Sequence, residues 1–165
     1  MFEVLVFVYE HYWRGDACPE LQQLGRKLSA HGFEPAEIHD ALVWLDALNL
    51  AAQNTCLDEP AGLQAGHTAP HAAASSGSMR VYSVAEQDHL GAECLGFISF
   101  LESSGVLPSP MREIVMDRAL AAPGAPVALD DLKIIVLMVY WSFGQEPDAL
   151  ILDELCDPSE NRLAH

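Results

Sequence analysis

From Leu132 to Phe143 the sequence is apolar at every position except Lys133 and Ser142. A helix built on such a run has no polar side to turn to water, so other elements must enclose it. Its longest apolar run, Ile134 to Phe143, is about half of the ~20 residues that a membrane span needs. It therefore reads as the centre of a soluble core. Asp130 and Asp131 stand just before it, where the free amides of a helix N-terminus favour carboxylates. The remaining chain has to supply amphipathic partners for one enclosed helix. Half of the 165 residues are hydrophobic, which suits a single domain, and a chain of this size buries roughly two-thirds of its unfolded surface.

The partners can be picked out by their punctuation. Phe2 to Trp13 is apolar on nearly every side and reads as a buried helix, although alternating Val4, Val6 and Val8 make a strand a competitor. Pro19 suits the first turn of a second helix with Leu21, Leu24 and Leu28 on one face, and Gly32 suits the left-handed residue that closes it. Pro35 opens a third helix whose Ile38, Ala41, Leu42 and Leu45 form one apolar stripe. Trp44 lies off that stripe, which predicts a second packing surface. Asn49 or the polar stretch after it is expected to end the helix. Residues 57–78, rich in Ala, Gly, Pro, His and Ser, read as a flexible loop with little to bury.

After the loop, Met79 to Tyr82 alternates like a short strand. Ser83 and Glu86 have the spacing of a capping box, ahead of a helix carrying Leu90, Cys94, Phe97, Ile98 and Leu101. Ser109-Pro110 starts the next helix, to about Leu120, and Pro123-Gly124 breaks it. Ala149 to Leu155 reads as a last short acidic helix. The expected fold is mainly α. Residues 1–56 form a winged-helix-like three-helix unit, with a two-stranded element made by Leu50–Gln53 and Met79–Tyr82. The loop 57–78 is its enlarged wing, and 79–165 form a C-terminal helical bundle packed with the first unit as one compact domain.

Charge excludes more than it assigns. With 24 acidic and 8 basic side chains the formal net charge is −16, which repels phosphate backbones and favours basic partners. The turn at Gly32 resembles a helix-turn-helix, but the approach and helix after it carry Glu34, Glu37, Asp40 and Asp46 and no Lys or Arg. Cys18, Cys56, Cys94 and Cys156 make no C-x-x-C pair, as expected for reduced thiols in the cytoplasm. Glu3 stands where a signal peptide would be basic. His67 and His71 lie in the loop without further ligands, so no structural metal site is expected, and the sequence leaves open whether the loop binds a transition metal weakly. Adjacent Asp130 and Asp131 point apart on a helix and cannot share a proton, and Cys94 falls on an apolar face where a thiol is inert. No phosphate loop, nucleophile elbow or dinucleotide fingerprint is present. Neither a cofactor nor an enzymatic activity is expected.

Two residues stand out as candidate partner contacts: Trp44, and Arg80, a rare cation expected first to pair with one of the many carboxylates and alternatively to contact a carboxylate or phosphate group on a partner. Four phrases in order, Met1-Phe2-Glu3-Val4-Leu5, Gly32-Phe33 with Glu37 to Leu45, Met79-Arg80-Val81-Tyr82-Ser83 and Leu129-Asp130-Asp131-Leu132-Lys133, resemble the Smg family of small acidic bacterial proteins. The resemblance runs from Met1 to about Glu154 and breaks only in the loop. It implies no established reaction or ligand. The expected role is that of a non-enzymatic adaptor or regulator binding another protein, with a nucleic-acid-associated regulator on a degenerate winged helix as the alternative. A small-molecule binder beside the helix 132–143 has no residue signature of its own. The sequence leaves the oligomeric state open.

Overall fold

A computed structural model of the chain describes residues 1–12, 21–55, 80–145 and 147. Among these residues there are six helices and no strand: α1 (Phe2–Tyr12), α2 (Leu21–Ala30), α3 (Pro35–Asn54), α4 (Val84–Ser103), α5 (Ser109–Leu120) and α6 (Leu129–Ser142). The apolar run becomes α6, in which Leu132, Lys133 and every residue from Ile135 to Tyr140 are buried. It packs against α1, α3, α4 and α5. The phenol of Tyr140 donates to the carbonyl of Val106, so the polar tip of an otherwise apolar core residue is satisfied.

α1 is a helix, and Val4, Leu5 and Val8 turn one face of it into the core. In α2 the leucines at 24 and 28 face inward and pack on α3. Gly32, at φ +92°, closes the turn between them in the left-handed region that glycine enters without a Cβ clash. Ser83 and Glu86 form the expected capping box, with the Ser83 amide donating to Glu86 Oε2 at 2.7 Å and the Glu86 amide to Ser83 Oγ at 3.3 Å.

Two sequence expectations are overturned. Leu50–Gln53 is not a strand but the last turn of α3, where Ala51 and Ala52 favour a helix and the Thr55 hydroxyl donates back to the Ala51 carbonyl. Residues 80–82, the described part of the second expected strand, form no backbone ladder; Arg80 is held by carboxylates, and the Tyr82 carbonyl accepts from the Gln87 side chain. A strand needs a partner, and the segment expected to pair is helical. The winged-helix unit and its two-stranded element are therefore absent among the described residues. The loop 57–78, Pro19, Met79 and the expected helix Ala149–Leu155 lie outside those residues.

One feature of α4 had no precursor in the expectations. Gly91 sits at φ +70°, ψ 169°, so α4 is two helical limbs, 84–90 and 92–103, joined by a sharp bend. The α5–α6 connection docks there. The Val127 amide donates to the His89 carbonyl at 2.8 Å, the Cys94 thiol donates to the Val127 carbonyl at 3.3 Å, and the His89 ring meets the Ala119 carbonyl.

Candidate functional site

α3 is amphipathic three ways. Ile38, Ala41, Leu45 and Leu48 face the core, and Trp44 is buried on their flank. Val43, Ala47 and Leu50 follow the i, i+4, i+7 spacing that places side chains on one helix face, here away from the core. Val43 is 57% and Leu50 61% exposed. By helical position Asp40 and Asp46 border this stripe on its two sides, and both are exposed. α3 carries three carboxylates, Glu37, Asp40 and Asp46, and no Lys or Arg.

Trp44 joins this face to α5. Its indole Nε1 donates to the Arg118 carbonyl at 3.1 Å, and only 4% of the residue is exposed. Arg118 is in the last turn of α5, so its carbonyl is among those a helix end leaves open, and the indole fills it. Between α3 and the end of α5 a groove of about 410 Å³ opens, with Val43, Trp44 and Ala47 on one side and Ala121, Ala122 and Pro123 on the other. Asp40 and Arg118 also line it, the latter already bonded to Asp117.

Arg80, the other candidate contact, is elsewhere. Its guanidinium forms a fork with Glu113, Nε to Oε1 at 2.9 Å and Nη2 to Oε2 at 2.9 Å, and Nη2 also reaches Glu86 at 2.9 Å. Glu113 continues the chain to Arg112, which is 6% exposed and also bonded to Glu102. The bend at Gly91 lets both limbs of α4 contribute, Glu86 from the first and Glu102 from the second. Burial alone would lower the Arg80 guanidinium, but hydrogen bonds to Glu113 and Glu86 outweigh it and the net shift is upward. Glu86 is held below the ordinary glutamate range, first by the Ser83 amide, against burial, and then by Arg80. This cluster ties α4 to α5. Trp44 and Arg80 meet different parts of α5, and the structure does not bring them into one site.

The groups considered for catalysis are dispersed. Burial, with Glu93 and Asp131 nearby, pushes the Cys94 thiol up to about 11, away from the thiolate that a nucleophile needs. Burial and then Asp130 raise Asp131, opposed by the N-terminal amino group. Among the described residues no group of three or more His, Cys, Asp or Glu could hold a metal ion, and no helix is long and apolar enough to cross a membrane. His67 and His71 lie outside those residues.

The outer stripe on α3 is not among the sequence expectations. Val43, Ala47 and Leu50 share a helical spacing, but a strand over Leu50–Gln53 separates Leu50 from the other two and hides the pattern.

Over residues 1–165 the chain matches the model of a family described as "Protein of unknown function (DUF494)". It is 57% identical to a Protein Smg homolog of Methylibium petroleiphilum and 59% identical to one of Leptothrix cholodnii, in each case over the full length of both chains. A Protein Smg homolog of Bordetella avium is 46% identical, again over both full lengths. No solved structure matches.

Proposed function

The chain belongs to the DUF494 family, that of the Smg homologues, and from that premise we propose that it is a non-enzymatic, cytoplasmic adaptor or regulator that binds another protein through the outer face of α3. The observation that carries this reading is the stripe on α3, with Val43 and Leu50 exposed and Ala47 half-buried between them, beside a groove with a tryptophan in its wall. Scattered exposed apolar residues are ordinary, whereas a run of them continuous with a concave, aromatic-walled groove is the anatomy of a docking face. Val81 and Val84 are more exposed still, but neither lines that groove.

The winged-helix alternative lacks its strands among the described residues. The test is affinity capture from nuclease-treated extract with the native chain and with Val43→Glu side by side. A protein retained by the native chain and lost with the variant supports the reading, provided that the variant melts at the native temperature. Capture that is indifferent to Val43→Glu, or that disappears with nuclease, refutes it.

A further inference from the structure

The chemistry around the stripe narrows what can cover it. From Val43 to Leu50 the helix rises seven steps, about 10 Å at 1.5 Å per residue, which matches two turns of a facing helix. Among the described residues there is no strand and hence no sheet edge for an extended peptide to extend, and a straight apolar stripe along one helix face suits a second helix laid against it. Asp40 and Asp46 border the face on its two sides and make no ion pair among the described residues. The basic groups that line the groove are Arg118, paired with the exposed Asp117, the Met1 amino group, paired with Glu37, and His39. A second copy of this chain, related by a two-fold axis, would bring the same acidic border against itself. An anionic lipid surface or a nucleic acid meets the same repulsion, reinforced by the net charge of −16.

We propose that the Val43–Ala47–Leu50 face of α3 and the groove beside Trp44 receive a basic amphipathic helix from a partner protein. This rests on the protein-binding reading above and names the partner's chemistry. Two or three apolar side chains of the partner, spaced i, i+4 and i+7, lie along the stripe, one of them entering the groove between the exposed Val43 and Pro123. Lysines or arginines on its flanks face Asp40 and Asp46. The apolar contacts supply affinity, and the flanking charges supply partner choice and fast association.

The test uses two designed peptides of about 15 residues, long enough for a marginal helix, with the same leucine stripe. One carries lysine flanks and the other glutamate flanks. Each is titrated into the ¹⁵N-labelled full chain. The lysine peptide is expected to shift amides of 40–51 and 118–123 and to bind at least about tenfold more tightly than the glutamate peptide. Val43→Gln or Leu50→Gln should abolish binding without altering the melting temperature, since both side chains are exposed. Asp40→Asn with Asp46→Asn should weaken the lysine peptide by about threefold to tenfold, the range for two exposed ion pairs, and should strengthen the glutamate peptide, whose repulsion it relieves.

Equal or tighter binding of the glutamate peptide overturns the basic-partner inference but leaves the docking face standing. Shifts confined to another surface, or no binding by either peptide at millimolar concentration, also overturn it, while the capture experiment above independently decides the adaptor reading. Self-association that Leu50→Gln abolishes would refute it in favour of a second copy.

Discussion

Trp44 shows how one side chain links two distant parts of the chain. Its ring is enclosed, and its one polar atom is spent on a carbonyl 74 residues away, so replacement removes both packing and a hydrogen bond. Trp44→Ala should destabilise the fold by about 3–5 kcal/mol, measured by denaturant unfolding, with faster amide exchange in the last turn of α5. Trp44→Phe keeps most of the packing and should cost about 1–3 kcal/mol from the carbonyl left unpaired. Equal losses for the two variants would mean that the hydrogen bond, not the packing, dominates. That Trp44 needed a second surface was legible in its place off the stripe; its partner was not, because no local pattern points across 74 residues. Cys94 offers a second test at this scale. A thiol at about 11 is almost wholly protonated at pH 8, so mapping by mass spectrometry should find Cys94 unmodified by a thiol reagent until the chain is unfolded. Rapid native labelling would show that the packing around Val127 opens.

At the scale of elements, the helix starts that carry their own punctuation were readable. Pro35, Ser83 with Glu86, and Ser109-Pro110 each mark the start of a helix by satisfying or lacking a first-turn amide, and that chemistry is local. What failed was pairing. Leu50–Gln53 and Met79–Tyr82 each look like strands only if the other is one, and Ala51 and Ala52 settle the first as helix. The bend at Gly91 was hidden because the apolar residues on either side still fit one helical period. Gly91→Ala forces a Cβ into a backbone region that only glycine occupies readily, at about 1–3 kcal/mol. Its Cβ would meet Pro126 only at ordinary contact distance, so the loss would be conformational rather than steric. Because the bend also brings Glu86 and Glu102 to α5, its loss should loosen the carboxylate–arginine cluster. The cluster has a pH signature. Glu86 titrates lower in the folded chain than in the unfolded one, so its stabilisation is complete above the ordinary glutamate range near ~4.3 and is lost as pH falls through the lowered folded value. Native and Glu86→Gln chains should therefore differ in melting temperature at pH 7 and converge in acid. A gap that persists at pH 3 would assign the loss to something other than the charge.

For the whole molecule, charge and topology lead to one statement about nucleic acid. The turn at Gly32 leads into α3 as a helix-turn-helix would lead into its recognition helix, and that geometry alone would invite a DNA-binding reading. Energetics oppose it. Affinity for duplex DNA comes largely from cations that displace counterions from phosphates, and α3 has none, while the chain as a whole carries −16. The cations on α5 are not spare, since Arg112 is bonded to Glu102 and Glu113 and Arg118 to Asp117. With no strand among the described residues, a minor-groove wing is also missing there. The chain should therefore give no saturable submicromolar complex with a defined duplex in a gel shift at about 0.15 M salt. Lowering the salt should not rescue binding, because weaker screening lengthens the reach of the repulsion. A complex that strengthens as salt is lowered would mean that a basic surface forms somewhere in the chain, and both the docking face on α3 and its preference for a basic partner would then have to be reconsidered.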